Sequence, residues 1–297
     1  MSNCPVCSHA DKKKIGEKMG FEIFKCHNCG SLYTGKLDET VENFDYSHYY
    51  DESNLTIPDF IHGILSEVVS AFEPYRQNGR LLDVGCGAGI TLDMARDLNW
   101  QAEGVEVSRP SVDALEARGF KVFHGTLHEA AYPDDHFDVV TATEVIEHVD
   151  NPGEVLREIA RILRPNGLLW LTTPHANGLS AKAMGAKWSV VCPPEHLHLF
   201  SVQGLRDLLN EAGFKNCRFE TTGVNPTELV QFLRGRQNNN ENTADAGNGQ
   251  RFDRIQTGYR LNQWLVSGKH TKKIKDIMNS GLKITRLGDN LKVWATL

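Results

Sequence analysis

The sequence predicts an α/β fold in which helices cover both faces of a mainly parallel β-sheet. From residue 79 onward, segments with strand patterns alternate with segments of helical pattern, and such alternation is typical of a parallel sheet. The first strand, 81–84, runs directly into a glycine-rich turn, and 90–98 has a helix-compatible composition. The second strand, 101–106, ends in an acidic residue. These three observations place a candidate ligand site at the beginning of the sheet.

The glycine-rich turn lies at Gly85, Gly87 and Gly89, immediately after Asp83. Glycine suits such a turn because it adopts positive φ and lets a ligand approach the backbone closely. The helix that follows leaves unpaired N–H groups beside that ligand. Glu106, at the tip of the second strand, suits the two hydroxyls of a ribose. The spacing G-x-G-x-G alone is a weak signal and is not the pyrophosphate fingerprint G-x-G-x-x-G.

The alternation continues to the end of the chain and brings further residues to the same edge of the sheet. Ligands of parallel sheets bind beyond the carboxyl ends of the strands, near the point where the strand order reverses. The long connection 175–200 is typical of a lid or binding loop. The remaining predicted elements are helix 109–118, strand 120–123, strand 137–142, helix 153–163, strand 167–173, helix 202–212 with Ser201 as N-cap, strand 214–222, helix 228–235 and strand 288–295.

Together with Asp83, the glycines and Glu106, two further runs make the chain resemble the class I S-adenosylmethionine-dependent methyltransferases. These runs are 125–127 and 137–149, and the second is similar to the branch that methylates quinones, sugars and other small molecules. The resemblance implies a Rossmann-like seven-stranded sheet flanked by helices, with an antiparallel last strand at 288–295. It also implies that 225–287 is a helical insertion before that strand.

The resemblance further implies S-adenosyl-L-methionine as cofactor. Asp83 and the glycine turn are then expected to position the methionine portion, and Glu106 the ribose. Thr126 and Leu127 are expected at the adenine edge, and Thr143 matches a position that contacts the cofactor in the quinone O-methyltransferases. The expected cofactor-binding residues are Asp83, Gly85, Cys86, Gly87, Gly89, Glu106, Val107, Thr126, Leu127 and Thr143.

The N-terminal segment 1–36 has the spacing of a Cys4 zinc ribbon. Two CxxC pairs lie on either side of Phe21–Phe24, which alternates like a strand of a ribbon hairpin. Metal binding would supply the folding free energy of so short a segment. We therefore expect one structural Zn²⁺, with His9 and His27 as bystanders; four reduced cysteines in a loose arm, or a catalytic dithiol, are the alternatives. The expected zinc ligands are Cys4, Cys7, Cys26 and Cys29.

The methyltransferase domain is expected at 79–297, with a lead-in segment before it and the insertion 225–287 inside it. The lead-in 37–78 has an aromatic cluster followed by a helical pattern over 60–75. The resemblance implies that this segment partly covers the cofactor; packing of the tyrosines against the domain edge is the alternative. Residues 238–250 are polar and rich in asparagine, as in disordered segments. Residues 251–283 predict one or two basic helices, which are either simply solvated or a surface for an anionic substrate or membrane headgroups. The clustered aromatic residues are Phe44, Tyr46, Tyr49 and Tyr50.

The general base is harder to assign, because three histidines are candidates. His148 follows Glu147 on the helix expected after strand 137–142, where helix packing is the competing explanation. His196 and His198 lie two residues apart in the long connection, so only one can point inward from an extended segment. We favour His196. A Zn or Mg site formed by Glu195, His196 and His198 is a further hypothesis, although the sequence indicates no fourth ligand.

Charge separates two function classes. The 297-residue chain has a net charge of −6, and residues 37–250 carry sixteen Lys and Arg against thirty-two Asp and Glu. An acidic body binds a phosphate backbone poorly, which favours a small-molecule acceptor over RNA. The resemblance implies a sugar, a quinone or a related metabolite modified at oxygen or carbon, and the basic segment would suit an anionic acceptor. The alternative is an RNA methyltransferase whose ribbon docks RNA. No apolar run reaches the roughly 20 residues of a membrane helix, and the N-terminus lacks the apolar core of a signal peptide, so we expect a cytoplasmic protein. In a reducing compartment, the two CxxC pairs suggest metal binding before disulfides.

Overall fold

A computed structural model describes residues 3–35, 59–235 and 279–297. The strands are β1 (Lys12–Lys18), β2 (Phe21–Cys26), β3 (Leu32–Thr34), β4 (Arg80–Val84), β5 (Gln101–Glu106), β6 (Lys121–His124), β7 (Phe137–Thr143), β8 (Leu163–Pro174), β9 (His198–Leu199), β10 (Asn216–Thr222) and β11 (Asn290–Thr296). The helices are α1 (Asp59–Ser70), α2 (Ile90–Asp97), α3 (Arg109–Ala117), α4 (Pro152–Ile162), α5 (Leu179–Met184), α6 (Val202–Glu211) and α7 (Pro226–Leu233). Residues 279–285 are also helical.

The predicted fold class is confirmed by the main sheet. Its seven strands follow the order β10-β11-β8-β7-β4-β5-β6. The central strands pair in parallel, whereas β11 runs antiparallel between β8 and β10. Strands β7 and β8 have nearly continuous burial, as expected where helices cover both faces of a parallel sheet. The order reverses between β4 and β7, so the carboxyl ends of these two strands border the expected ligand crevice.

A buried ion pair lies at the amino ends of β7 and β8, away from the expected ligand crevice. Arg164 donates through Nε to Oδ1 of Asp138, whose side chain is fully buried. Oδ2 of Asp138 accepts hydrogen bonds from the backbone amides of Gln77, Asn78 and Gly79 at 2.8, 2.9 and 2.7 Å. Burial by itself would raise the pKa of Asp138, but the Arg164 guanidinium and the amides hold that pKa below its ordinary value. The carboxylate therefore anchors the segment that enters β4.

Strand β8 begins four residues before the predicted strand 167–173, and the turn-forming residues Pro165, Asn166 and Gly167 lie inside it. The pairing with β7 moves from Phe137–Leu163 directly to Val139–Leu168, so four residues of β8 bulge out of the ladder. Asn166 adopts a φ of +61° there. Asparagine tolerates this left-handed conformation better than most residues, which explains why the turn signal and the strand coexist.

The N-terminal ribbon forms a second sheet with the long connection. Its order is β1-β2-β3-β9, with Leu32 opposite Leu199 and Tyr33 opposite His198. At the start of α6, the Ser201 amide donates to Ser31 Oγ at 3.1 Å. A Cβ added to Gly204 would lie 2.6 Å from Ser31 Oγ, so glycine allows the ribbon to approach α6 closely. The ribbon is thus attached to the connection through both backbone pairing and close packing.

The helix predicted at 153–163 is found as α4, but His148 does not lie on it. Residues 146–148 form a turn, and α4 begins only at Pro152, with Asn151 accepting a hydrogen bond from the Glu154 amide. Proline favours the first helical position and disfavours helical conformation in the residue before it. The expectation that His148 lies on a helix is therefore wrong.

Several expectations concern residues outside the described ranges. These are the aromatic cluster in 37–58, the disordered stretch 238–250 and most of the basic segment 251–283. Across the parts of the chain that the structure describes, no helix combines the length and apolar character needed to span a bilayer.

Candidate functional site

The glycine turn after β4 has the conformation that its sequence predicts. Gly85, Gly87 and Gly89 have φ values of +65°, +50° and +77°, where a side chain would be strained. Space is limiting as well. A Cβ on Gly85 would lie 2.6 Å from Val145 Cγ2, and a Cβ on Gly89 would lie 2.3 Å from Leu115 Cδ2. Glycine here therefore permits close packing of the turn against the segment that follows β7.

Glu106 is buried at the end of β5 and is bonded to the glycine turn. Its Oε2 accepts a hydrogen bond from the Gly87 amide at 2.8 Å, and its Oε1 accepts one from the Ser108 amide at 2.8 Å. Each carboxylate oxygen can accept a second hydrogen bond, so the group can still receive two hydroxyls of a ligand. Val107 is 45% exposed beside it, which makes it an apolar contact surface.

Asp83 lies beneath the turn and is almost entirely buried. Thr141 Oγ1 donates a hydrogen bond of 2.6 Å to Asp83 Oδ1. Burial raises the pKa of Asp83 to about 7, although hydrogen bonds from Thr141 and Thr91 act in the opposite direction. Burial also raises the pKa of the neighbouring Cys86 thiol, which favours its protonated form at neutral pH.

The loop after β6 follows directly on Glu106 in space. The Gly125 amide donates to the Glu106 carbonyl at 3.0 Å. Both polar groups of Thr126, its amide and its Oγ1, donate to Glu129 Oε2 at 2.8 Å, whereas Leu127 is buried. The loop thus borders the crevice between β5 and β6, where its predicted contact with adenine stays a prediction.

The end of β7 contributes a polar atom without a partner. Thr143 Oγ1 is buried and has no hydrogen-bond partner among the described residues. Buried hydroxyls are normally bonded, so this atom is a candidate for a contact with a ligand.

Two of the three candidate histidines meet beyond the carboxyl ends of β7 and β8. The ring centroids of His148 and His196 lie 4.6 Å apart, with the ring planes at 74°. His148 Nδ1 lies 2.9 Å from the Glu195 carbonyl oxygen, and His196 Nδ1 lies 2.7 Å from the Val190 carbonyl oxygen. A carbonyl only accepts, so each Nδ1 donates its proton, and the neutral tautomer has its lone pair on Nε2.

Glu147 adds a carboxylate to this pair. Its side chain is fully buried, and its Oε2 accepts a hydrogen bond from Thr173 Oγ1 at 2.9 Å. Its Oε1 lies 4.0 Å from His148 Nε2 and has no N–H or hydroxyl donor among the residues that the structure describes. Burial, and secondly the charge of Glu144, raise the pKa of Glu147 well above its ordinary value. Sequence reasoning did not assign Glu147 a role, although an acid among apolar residues beyond a buried strand was the available signal.

His198 lies apart from this cluster. It is buried in β9, and its Nε2 donates to the Val149 carbonyl oxygen at 3.0 Å. Burial lowers the pKa of His198 to about 4, so the ring stays neutral at physiological pH. The structure therefore brings His148 and His196 together and leaves His198 as a packing residue of the second sheet.

The four predicted zinc ligands converge at the base of the ribbon. The sulfurs of Cys4 and Cys29 are 3.8 Å apart, those of Cys7 and Cys26 are 3.5 Å apart, and all four lie within 4.8 Å of one another. In a tetrahedral zinc–thiolate site with bonds of about 2.3 Å, sulfurs stand about 3.8 Å apart. The donor set and its dimensions fit one structural zinc ion.

Comparison with known proteins identifies the domain. A family model described as a methyltransferase domain matches residues 59–218. The 27-O-demethylrifamycin SV methyltransferase of Amycolatopsis mediterranei is 33% identical over 150 residues, covering 46% of this chain and 54% of that protein. The ubiquinone biosynthesis O-methyltransferase of Bradyrhizobium diazoefficiens is 32% identical over 126 residues, covering 40% of this chain and 50% of that protein. The chain thus spans about half the length of these relatives.

Solved structures share the fold at low sequence identity. A phosphoethanolamine N-methyltransferase 2 of Haemonchus contortus in complex with S-adenosyl-L-methionine has a TM-score of 0.57 at 17% identity, covering 90% of this chain and 63% of that one. A SAM-dependent methyltransferase of Archaeoglobus fulgidus has a TM-score of 0.51 at 17% identity, covering 80% and 94%. With more than half of its length matched by the family model, the chain belongs to the class I S-adenosylmethionine-dependent methyltransferases.

Proposed function

We propose that this protein transfers a methyl group from S-adenosylmethionine to a hydroxyl oxygen of a small-molecule acceptor. The observation that supports this most directly is the contact between two parts of the site. Val145 packs against Gly85 of the glycine turn, and three residues later the same segment provides His148. A cofactor on the turn and an acceptor near the histidines would therefore be neighbours. The two relatives described above are named as methyltransferases of rifamycin and ubiquinone biosynthesis.

On the cofactor side, the chain would bind the nucleoside through β5 and the loop after β6. When bound, S-adenosylmethionine supplies an electrophilic methyl group on a sulfonium. Glu106 would accept hydrogen bonds from the ribose hydroxyls, and exposed Val107 would contact the adenine face. Thr126 and Leu127 would border the adenine edge, and Thr143 Oγ1 would use its unmade hydrogen bond toward the cofactor. The glycine turn above Asp83 would hold the methionine portion.

On the acceptor side, His196 would face the hydroxyl, as the sequence favours, with His148 beside it. Methyl transfer requires the acceptor oxygen to lie in line with the breaking bond and to lose its proton. Both imidazoles direct Nδ1 to backbone carbonyls, which fixes their orientation and leaves Nε2 as the basic nitrogen. His198 is not included in this role because its ring is buried against Val149.

The ribbon would bind one structural zinc ion through Cys4, Cys7, Cys26 and Cys29. Such an ion would hold β3 in position, and β3 pairs with β9, two residues after His196. The ion would thus stabilise the acceptor side of the site without taking part in the chemistry. Thiolate ligands require a reducing environment, which agrees with the predicted cytoplasmic location.

The experiment that tests this function offers methyl-labelled cofactor to a metabolite extract and, separately, to total RNA. We expect label in a small-molecule fraction, in a product that carries the labelled methyl group as a methyl ether and not as a methylamine. Label at a defined position in RNA would overturn the proposal.

The ribbon cannot simply be deleted to test RNA docking, because deletion removes the partner of β9. The double substitution Lys13→Gln and Lys14→Gln changes only exposed side chains of β1. Small-molecule turnover should be unchanged in that variant. If the ribbon docks RNA, each lost phosphate contact would instead reduce the salt dependence of RNA affinity by a slope of about 1.

A further inference from the structure

Three potential ligand groups converge at the acceptor side of the site, from two separate segments. Glu147 and His148 belong to the turn after β7, and His196 belongs to the connection before β9. One ligand atom from each lies within 4.8 Å of the other two. The two segments are held in register, because the Leu197 amide donates to the Glu147 carbonyl oxygen at 2.8 Å. The convergence therefore follows from the backbone and not from chance rotamers alone.

The state of Glu147 is a second, independent observation. Its side chain is fully buried, and Oε1 has no N–H or hydroxyl donor among the described residues, while the Glu144 carboxyl interacts with the Glu147 carboxyl and brings a second acid to the same place. Buried carboxylate oxygens nearly always have a partner, and an unpaired one calls for a ligand or cation. Oε1 is the atom on the side of His148, 4.0 Å from Nε2.

The histidines have the outer contacts that metal ligands have. Metal-binding imidazoles usually donate their second N–H to a backbone carbonyl or a carboxylate, which fixes the tautomer and the ring orientation. Here His148 donates to the Glu195 carbonyl and His196 to the Val190 carbonyl. Both rings thus direct the lone pair of Nε2 away from their backbone acceptors, as a ligand requires.

We propose that Glu147, His148 and His196 bind a divalent first-row transition-metal cation that receives the acceptor hydroxyl at an open coordination position. This inference rests on the proposed function, since it states how the acceptor side of that site works. Two imidazoles and one carboxylate form a ligand set known for zinc and non-haem iron, with positions left for substrate. Mg²⁺ and Ca²⁺ prefer oxygen ligands, so they fit this set poorly.

The distances agree with a site that closes slightly on the ion. Two ligand atoms bound to one ion at about 2.1 Å stand about 3 to 3.5 Å apart. The 4.0 Å between Glu147 Oε1 and His148 Nε2 therefore needs a shift of less than about 1 Å. The site is also distinct from the ribbon, whose four sulfurs are soft ligands and close the coordination sphere.

A cation at this position changes the role of His196 from base to ligand. The cation lowers the pKa of a bound hydroxyl, so the proton leaves to water. The oxygen then uses its electron pair to form the bond to the methyl carbon, while the carbon–sulfur bond breaks and its pair stays on sulfur. Acceptors that offer a second oxygen to the cation are expected to be preferred.

The test titrates zinc-loaded full-length protein with Co²⁺ and follows visible absorption and bound metal per chain. We expect one Co²⁺ beyond the ribbon zinc, with the spectrum of nitrogen and oxygen ligands. Glu147→Gln, His148→Gln and His196→Gln should each weaken Co²⁺ binding by at least about 100-fold, the upper end of the loss seen on removing only an outer contact of a ligand. His128→Gln changes an exposed histidine and is the matched control, and Cys192→Ser tests a second group that shares His196. Both should bind Co²⁺ like the original protein.

Two readouts keep this test separate from folding and from the proposed function. Zinc content and cofactor affinity should be unchanged in the three ligand variants, which shows that they are folded. The metal proposal is overturned if the original protein binds no Co²⁺ beyond the ribbon, or if His148→Gln and His196→Gln bind it as well as the control does. Methyl transfer to a hydroxyl that persists in chelator would also overturn it while leaving the proposed function intact. Tight Co²⁺ binding without any hydroxyl methylation would support the metal site and overturn the proposed function.

Discussion

Replacing Glu106 should affect protein stability and cofactor binding separately, because its carboxylate has two kinds of partner. In the structure, both oxygens accept buried backbone hydrogen bonds of 2.8 Å, from Gly87 and from Ser108. A hydrogen bond to a charged group contributes about 1.5–3 kcal/mol. Glu106→Ala removes both and should lower the free energy of unfolding by about 3–6 kcal/mol. Glu106→Gln keeps one acceptor oxygen and should lower that free energy by about half as much.

The milder variant is therefore the one to use for measuring cofactor affinity. Loss of the charged acceptor should weaken S-adenosylmethionine binding to Glu106→Gln by about 1.5–3 kcal/mol, or about 10- to 150-fold. Urea unfolding measures the stability change, and titration calorimetry measures the affinity. Glu116→Gln, on the exposed face of α3, is the matched control and should change stability by less than about 0.5 kcal/mol.

Two outcomes would refute this reasoning. If the free energy of unfolding of Glu106→Ala lies within about 1 kcal/mol of that of the original protein, the carboxylate does not hold the glycine turn. If folded Glu106→Gln binds the cofactor with unchanged affinity, Glu106 does not bind the ribose.

Three further predictions follow from buried polar groups. Cys26→Ser with Cys29→Ser should abolish zinc binding and increase hydrogen exchange in β9, measured by metal analysis and mass spectrometry; full zinc retention would contradict the ligand assignment. Asp138→Ala should lower the free energy of unfolding by about 3–5 kcal/mol in urea denaturation, since it leaves the Arg164 charge buried without its partner. Because folding lowers the pKa of Asp138, its carboxylate contributes its full stabilising free energy above the unfolded pKa of about 3.9. That stabilisation is lost as the pH falls below this value and through the folded pKa. Because folding lowers the pKa of His198 to about 4, the unfolded chain binds the His198 proton at a higher pH than the folded chain does. The free energy of unfolding should therefore fall as the pH drops from about 6.5 to 4, and this loss should be smaller in His198→Gln.

The cofactor half of the site was predictable because its signals are local. Positive φ at the three glycines and the acid at the end of β5 follow from short segments of sequence. The topology also follows from the alternation of elements, because parallel strands need crossover helices. The antiparallel β11 was placed by resemblance, and its pairing with β8 and β10 confirms it.

The acceptor half was less predictable because it depends on contacts between distant segments. Nothing near His196 indicates that its ring meets His148, or that Glu147 is fully buried beneath them. His148 was wrongly placed on the helix after β7, because α4 begins only at Pro152 and His148 lies in the turn before it. His198 was also a reasonable candidate from spacing alone, and only the pairing of β9 with β3 shows that its ring is buried. Long-range pairing of this kind leaves no periodic signal in the sequence.

The pairing of β3 with β9 also has a consequence for biosynthesis. Chains leave the ribosome from the N-terminus, at roughly 5–20 residues per second. The ribbon cysteines emerge before β9 and can bind metal early, but the Ser31 side chain meets its partner at Ser201 only 170 residues later. Until then the outer edge of β3 lacks the strand that covers it, and an uncovered strand edge is a template for aggregation. Early metal capture followed by late docking would make the nascent protein most vulnerable during this interval, and a chaperone or slower translation would help most there.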